Sequence, residues 1–143
     1  MRFLVADDHE IVRNGLISAL RELDHRAEIK GVNNAKETRN AVAGGKSYDL
    51  IVLDLIMPGS NGFELLRDVC NHCMDTPVVV LSGSGDPLHM RKSLDLGAAG
   101  FVPKSAGLEV MLSALRLVLA GGIYVPPDIL NTPDAPSAIT EEN

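Results

Sequence analysis

Five polar side chains suited to metal and phosphate chemistry each follow an apolar run in this sequence. They are three carboxylates, a hydroxyl and an ammonium: Asp7, Asp8, Asp54, Ser82 and Lys104. Clustered carboxylates bind Mg²⁺, which keeps positions open for phosphate oxygens. A carboxylate can also attack phosphorus as a nucleophile, and a lysine can neutralise charge on the transferred group. If the fold brings these residues together, they suit phosphoryl transfer assisted by a divalent cation.

The apolar runs before these residues predict the strands that would bring them together. The runs cover residues 3–6, 50–53, 77–81 and 100–102, and helix-length segments separate them. Near-continuous apolar runs of this length are typical of buried parallel strands. In an open α/β sheet, ligands bind at the carboxyl ends of the strands. We therefore predict an α/β fold with one crevice that receives all five polar residues.

Five strand–helix units are predicted over the first 130 residues. After the first strand, apolar residues recur at helical spacing from Ile11 to Leu23. The second strand, near residues 27–32, alternates polar and apolar residues and is therefore predicted at the sheet edge. The other predicted boundaries are a cap of the second helix by Asn34 and Glu37, a turn at residues 57–62, a fourth helix that begins at Asp86-Pro87, and a fifth helix over residues 108–120.

Composition and charge limit the class of protein. The 143 residues fit one domain, and 45% hydrophobic but only 3% aromatic residues suit a core of aliphatic side chains. The net charge of −6 argues against direct binding of nucleic acid by these residues. The first residues lack a signal-peptide pattern and no apolar run reaches bilayer length. We therefore expect a soluble, cytoplasmic protein that does not bind membranes.

The adjacent carboxylates of Asp7 and Asp8 admit two interpretations. Aspartate is common at helix N-termini, so both could cap the first helix. Capping explains one aspartate well and the second poorly, because two close like charges are costly unless a cation neutralises them. Since Asp54 arrives from the neighbouring strand, we favour Mg²⁺ binding over capping.

The two cysteines, Cys70 and Cys73, have the C-x-x-C spacing of redox and zinc motifs. A second pair of ligands is missing from the sequence. Both positions also continue the apolar side of a helix that includes Leu66 and Val69. We therefore interpret the cysteines as packing residues.

The chain resembles a response-regulator receiver domain over residues 1 to about 130. The resemblance rests on Asp7-Asp8-His9, Leu53-Asp54-Leu55 with Met57-Pro58-Gly59 and Gly62, Ser82, and the segment from Gly97-Ala98 through Ser105. Within that family, Arg13-Asn14-Gly15-Leu16 and the segment 121–127 resemble the receivers of LuxR/NarL/FixJ-type transcription regulators. The resemblance implies a flavodoxin-like (βα)5 doubly wound parallel sheet in a single domain, with the strand order 2-1-3-4-5.

The resemblance also implies that Asp54 accepts a phosphoryl group from the phosphohistidine of a sensor histidine kinase. Lys104 and Ser82 would bind the phosphoryl oxygens, together with the backbone at Ile56 and Gly83. A phosphoacceptor of this kind assists its own phosphorylation and dephosphorylation, and we do not expect an enzyme.

The metal site implied by the resemblance contains Mg²⁺, or Mn²⁺ in its place. Asp8, Asp54 and the backbone carbonyl of Ile56 would bind the ion directly, and Asp7 would help through water. The Ile56 side chain places no limit on this role, because the ligand is main chain.

A switch pair, Ser82 and Phe101, is likewise implied. The hydroxyl would move to the phosphate, and the ring would turn inward into the space that it leaves. Because Phe101 has no hydroxyl, its switching must be a change in packing.

The predicted fifth helix is apolar almost all round. Its proposed stripe consists of Leu108, Leu112, Leu115 and Leu119. Such a helix needs a second cover, which in the family is often another receiver or an output domain. We predict a homodimer through helix 5, or through its common face with helix 4 and strand 5. The alternative is cover by residues 123–130 of the same chain.

The end of the sequence bears on domain organisation. Residues 131–143 lack apolar periodicity and are predicted to be a flexible tail or the start of an interdomain linker. No basic bihelical segment follows, so DNA binding would require an output domain outside these residues. The chain would then be a piece of a transcription regulator or a stand-alone receiver that regulates a partner protein. The segment 121–127 favours the first.

Two rival classes make different demands on the sequence. A haloacid-dehalogenase-like phosphatase needs a second aspartate two residues after the nucleophile, where this chain has Ile56. A flavodoxin-like FMN carrier needs a phosphate loop after strand 1, where Asp7 and Asp8 would repel the phosphate. Neither demand is met.

Overall fold

The computed structural model describes residues 1–83 and 86–126, which form a sheet with helices on both faces. The strands are β1 (Arg2–Ala6), β2 (Glu28–Val32), β3 (Leu50–Asp54), β4 (Ile56–Met57), β5 (Ser60–Asn61), β6 (Val78–Ser82) and β7 (Gly100–Pro103). The helices are α1 (Glu10–Leu23), α2 (Ala35–Ala43), α3 (Phe63–His72), α4 (Pro87–Asp95) and α5 (Leu108–Leu119), with a 3₁₀ turn at Lys104–Ala106. In the part of the chain described, no helix has the length and apolarity needed to cross a membrane.

The sheet has the predicted topology. Its five parallel strands lie in the order β2-β1-β3-β6-β7. Strands β4 and β5 form a separate antiparallel hairpin, so the sheet strands counted alone have the order 2-1-3-4-5. The hairpin occupies most of the segment where only a turn was predicted. The strand order reverses between β1 and β3, which places the ligand crevice of this fold at their carboxyl ends.

The buried strands have the apolar runs from which they were predicted because helices cover both faces of the sheet. Alternate side chains contribute to two separate cores. One core, against α2, α3 and α4, includes Leu4, Ile51, Val80 and Phe101. The other, against α1 and α5, includes Phe3, Val52, Leu81 and Val102.

Two helix starts predicted from the sequence are confirmed. The Asn34 side chain accepts the backbone N–H of Glu37 at 2.7 Å, and Glu37 in turn accepts the N–H of Asn33 at 3.2 Å. Asp86 accepts the N–H of Leu88 at 2.9 Å, with a proline in the first turn of α4. Each cap contributes about 1 kcal/mol to helix stability.

The two edges of the sheet differ in their cover. β2 is an edge strand, as predicted, with exposed Glu28 and Lys30. At the other edge, the chain after α5 returns alongside β7. The Tyr124 N–H donates to Ala99 O at 3.0 Å, and Tyr124 O accepts the N–H of Phe101 at 3.3 Å. The segment after α5 is thereby joined to β7.

The buried stripe of α5 differs from the predicted one. Met111, Ala114, Leu115 and Val118 face the core, whereas Leu108 is 47% exposed. A helix that is apolar almost all round does not specify its own rotation, and packing on β7 and α1 sets it instead. An apolar outer side remains, because Val110 and Leu117 are 37% and 44% exposed. Residues 123–126 leave this outer side uncovered, and residues 127–143, which include the predicted tail, lie outside the described residues.

Candidate functional site

The structure brings all five predicted polar residues to one crevice. Asp7 continues the β1 ladder by donating its N–H to Val32 O at 3.0 Å, and Asp54 is the last residue of β3. Lys104 begins the 3₁₀ turn after β7, where it reaches back to both aspartates. Asp8 and Ser82 line the same cleft, whose volume is about 460 Å³. The strand ends therefore bring these five side chains together, as the sequence predicted.

Lys104 is the central cation of the crevice. Its Nζ lies 2.9 Å from Asp54 Oδ2, 3.1 Å from Asp7 Oδ1 and 2.7 Å from His9 Nδ1. The Lys104 side chain is only 14% exposed, and those of Asp7 and Asp54 are 0% and 4% exposed. An ammonium has three donors, so three acceptors occupy it fully. This one charge contacts both buried carboxylates.

Asp54 is a carboxylate in an unfavourable place for a negative charge. Burial raises its pKa above the ordinary value, and the nearby charge of Asp7 acts in the same direction. The hydrogen bond and charge of Lys104, and a 3.3 Å hydrogen bond from the N–H of Ile56, oppose this change but do not cancel it. A further cation would therefore relieve repulsion within the site.

The donors present fit a divalent cation. One ligand atom from each of Asp7, Asp8, His9 and Asp54 lies within 4.8 Å of the others. Asp7 Oδ2 is fully buried and accepts no hydrogen bond, although Lys104 Nζ is 3.1 Å away as an ion-pair partner. Asp7 Oδ1 does accept the N–H of His9 at 2.8 Å, but the N-cap residue His9 makes no side-chain capping bond. Helix capping alone therefore does not account for the carboxylate pair.

The remaining predicted positions form the rim and wall of the cleft. Ile56 is exposed and lines the cleft beside Asp54, to whose Oδ1 its N–H donates at 3.3 Å. Gly83 is exposed in the cleft, and no described residue lies within 4 Å of the point where a side chain would begin. The ring of Phe101 is fully buried in the core on the α4 side. The switch of Ser82 and Phe101 stays a prediction.

Sequence reasoning missed two supports of the site. His9 was quoted only as part of the family resemblance, yet its ring faces the aspartates. Arg13 Nη1 donates to the backbone carbonyl of Asp7 at 2.7 Å, which ties α1 to the strand end. Their spacing, one and five residues after Asp8 at the start of a helix, was the available signal.

An aromatic contact forms the far wall of the cleft. Phe63 packs edge-on against His89, with ring centroids 5.7 Å apart, and Lys92 Nζ lies 4.8 Å from the Phe63 ring centroid. Both rings line the cleft that contains Asp54. This wall joins α3 to α4 beside the site.

The cysteines fit their interpretation as packing residues. Cys70 and Cys73 are free thiols that pack against the core on the α3 side. Burial raises the pKa of Cys70 to about 11 and also raises the pKa of Cys73. The thiolates needed for redox chemistry or metal binding are therefore disfavoured.

The fold and the site define a class of protein, a doubly wound domain with an acidic crevice at the carboxyl ends of its strands. Comparison with known proteins identifies that class. The family described as the response regulator receiver domain matches residues 3–116. The chain belongs to this family and is a receiver domain of two-component response regulators.

Particular relatives carry the comparison further. Response regulator GacA of Pseudomonas viridiflava is 33% identical over 129 residues, which are 90% of this chain and 60% of GacA. A LuxR family DNA-binding response regulator from Silicibacter pomeroyi is 26% identical with a TM-score of 0.76, covering 90% of this chain and 98% of the solved one. The isolated receiver of RcsB from Salmonella enterica serovar Typhimurium, solved with BeF₃⁻, is 25% identical with a TM-score of 0.76, covering 92% and 96%. The chain spans about 60% of the length of GacA and of the glycerol metabolism activator of Pseudomonas putida.

Proposed function

We propose that this receiver accepts a phosphoryl group on Asp54 from the phosphohistidine of a sensor histidine kinase. The observation that supports this is the buried Asp54 carboxylate, held 2.9 Å from Lys104 Nζ at an open cleft. In the transfer, the bond between phosphorus and the imidazole nitrogen breaks as a bond to an Asp54 oxygen forms. The imidazole leaves on the kinase. Positioning and charge neutralisation are the main requirements of such a step.

The surrounding residues supply those requirements. Lys104 exchanges a carboxylate contact for a phosphoryl oxygen, and the Ser82 hydroxyl and the backbone N–H groups of Ile56 and Gly83 donate to the others. Asp7 adds negative charge that holds Lys104 in position. The raised pKa of Asp54 is consistent with a carboxylate whose charge is stabilised only when cations surround it.

A magnesium ion fits the same donors. Asp8, Asp54 and the backbone carbonyl of Ile56 would hold it, with Asp7 assisting through water. Bound there, Mg²⁺ supplies positive charge that offsets the carboxylates and the phosphoryl oxygens. Mn²⁺ has the same preference for oxygen ligands and would substitute for it.

Beryllofluoride tests this proposal against the FMN-carrier alternative. We expect Mg²⁺ with beryllofluoride to shift the backbone NMR signals of Asp54, Gly83 and Lys104, because the complex would occupy the phosphoryl position. FMN should shift none of them. A folded protein that binds FMN, or that ignores beryllofluoride with Mg²⁺, contradicts the proposal.

Phosphorylation would act on the surface formed by α4, β7 and α5. Lys104 and Phe101 connect the crevice to β7, and the N–H of Phe101 is bonded to Tyr124 in the segment after α5. A shift of β7 would therefore reach both α5 and the chain that follows it. We propose that this controls homodimerisation and, through an output domain outside these residues, DNA binding. Regulation of a separate partner protein by a stand-alone receiver is the alternative, and we propose a cytoplasmic location in either case.

The exposed apolar side of α5 gives this proposal its own prediction. Leu117→Glu should lower the dimer fraction in the beryllofluoride state several-fold, because it places a charge in the interface. Phosphoryl uptake should be unchanged, since Leu117 lies toward the C-terminal end of α5. Analytical ultracentrifugation measures the mass with and without beryllofluoride.

A matched control is Met74→Glu, which adds the same charge to an 85% exposed apolar residue beyond α3. It should leave the dimer fraction intact. Equal mass in both states for the unmodified chain would contradict dimer control through α5.

A further inference from the structure

His9 brings an imidazole nitrogen into the carboxylate cluster. Its Nδ1 lies 3.0 Å from Asp7 Oδ1, 3.4 Å from Asp8 Oδ1 and 3.7 Å from Asp54 Oδ2. His9 is the N-cap residue of α1, but its side chain makes no capping bond. The ring therefore does not cap the helix, and it has no role in the phosphoryl transfer proposed above.

The contact with the Lys104 ammonium bears on the direction of the lone pair on the His9 imidazole. The ammonium lies 2.7 Å from His9 Nδ1, and an ammonium can only donate hydrogen bonds. Nδ1 also lies 3.0 Å from Asp7 Oδ1, to which it would donate if it carried a proton. In the tautomer with Nδ1 unprotonated, Nδ1 accepts from Lys104 and its lone pair points to the position of the cation. The same ammonium contacts Asp7 and Asp54 at 3.1 and 2.9 Å. One position is thus surrounded by two carboxylates and a nitrogen donor.

The spacing of these donors suits a metal ion. Neighbouring ligands of an octahedral ion with bonds near 2.1 Å are about 3.0 Å apart. The separations of His9 Nδ1 from the three carboxylates, 3.0 to 3.7 Å, are close to that value. Asp7 Oδ2 provides a further indication, since it is a buried carboxylate oxygen that accepts no hydrogen bond and is paired only with the Lys104 ammonium, 3.1 Å away, among the described residues.

We propose that His9 is a metal ligand that gives this acidic site a preference for divalent transition ions over Mg²⁺. The proposal rests on the magnesium site proposed above, to which it adds a nitrogen donor. Mg²⁺ takes oxygen ligands and loses its waters reluctantly, whereas imidazole suits Ni²⁺, Co²⁺ and Zn²⁺. Binding of such an ion moves Lys104 away from His9, which its long side chain allows.

Calorimetric titration of the untagged chain with NiCl₂ and with MgCl₂ tests the assignment. His9→Asn should weaken Ni²⁺ binding by about tenfold or more, since even indirect partners of a metal contribute 10–100-fold. Mg²⁺ affinity should stay within about twofold, because its ligands are the carboxylates. With ZnCl₂, the Nδ1 signal of His9 in the ¹⁵N NMR spectrum should shift, which a merely structural histidine would not show.

Two control variants locate the binding. His89→Asn removes an imidazole from the same cleft, and Cys73→Ser removes a thiol from the Cys70 pair. Neither should change Ni²⁺ affinity at this site. If either control lowers it as much as His9→Asn, or if His9→Asn leaves it unchanged, the assignment is wrong. Equal losses of Ni²⁺ and Mg²⁺ in His9→Asn would make His9 a support of the carboxylates and would also overturn it.

The magnesium site itself is judged separately. Asp8→Asn should weaken both ions. If Mg²⁺ binds neither the unmodified chain nor the variants, the proposed magnesium site is wrong. Ni²⁺ binding that depends on His9 would still support this inference. If Mg²⁺ binding depends on Asp8 but Ni²⁺ binding does not depend on His9, only the inference fails.

Discussion

Asp54→Asn should abolish phosphoryl acceptance from acetyl phosphate in the presence of Mg²⁺. Asp54 is the carboxylate that lies at the end of β3 and contacts Lys104 directly, while Asp7 is fully enclosed and Asp8 stands at the rim. An amide oxygen cannot form the acyl phosphate, so the expected loss is complete. Intact-protein mass spectrometry measures the gain of one phosphoryl group.

The control for this variant is Asp49→Asn, at the opposite end of the same strand. Asp49 accepts a hydrogen bond from the N–H of Arg2 and lies far from the cleft. The Asp49→Asn variant should accept the phosphoryl group as the unmodified chain does. The group should be removed by hydroxylamine, which cleaves an acyl phosphate but not a serine ester. Hydroxylamine resistance, or full labelling of Asp54→Asn, would contradict the assignment.

The fold and most of the site could be predicted because periodicity and strand ends determine them. Four runs of buried apolar residues predicted β1, β3, β6 and β7, and the residues just past them are those that meet in the crevice. The family resemblance supplied the strand order and the roles. Neither the fold nor the set of residues in the crevice depended on side-chain orientation beyond the end of a strand.

The features that could not be predicted depend on orientation instead. The rotation of α5 follows from its packing, because nearly every position of the helix is apolar. The ring of His9 faces the aspartates rather than capping α1, and that choice is set by Lys104, which is 95 residues away in the sequence. The β4–β5 hairpin arises in a segment whose Pro58 and Gly59 equally suit a simple turn. The packing of α5 on α1 and the contact of His9 with Lys104 both join parts of the chain that are distant in sequence.

The dependence of two buried carboxylates on one ammonium has a consequence for stability. Because the pKa of Asp54 is raised in the folded state, folding binds protons in the range above its ordinary value of 3.8. The contribution of Asp54 to stability is therefore greatest at low pH and is lost as pH rises through the raised pKa. Lys104 limits this loss of stability, so removing Lys104 should make the loss larger.

Lys104→Met should lower the free energy of unfolding by roughly 3 kcal/mol at about pH 8, the usual cost of removing one partner from a buried ion pair. The loss should be smaller at about pH 5, because the raised pKa of Asp54 brings it nearer to protonation at lower pH, and the protonated carboxyl needs no cation. Urea denaturation at both pH values measures it. Phosphoryl acceptance should fall as well, since no ammonium would bind the transferred group.

The double variant Asp54→Asn with Lys104→Met separates charge from packing. Removing the Asp54 charge should recover a large part of the lost stability, so the two changes should not be additive. Lys36→Met, on the exposed side of α2, should change stability by no more than about 0.5 kcal/mol. If Lys104→Met is equally destabilising at both pH values and Asp54→Asn recovers nothing, the aliphatic stem of Lys104 stabilises the fold by packing. The ion pair would then not be what holds the crevice together.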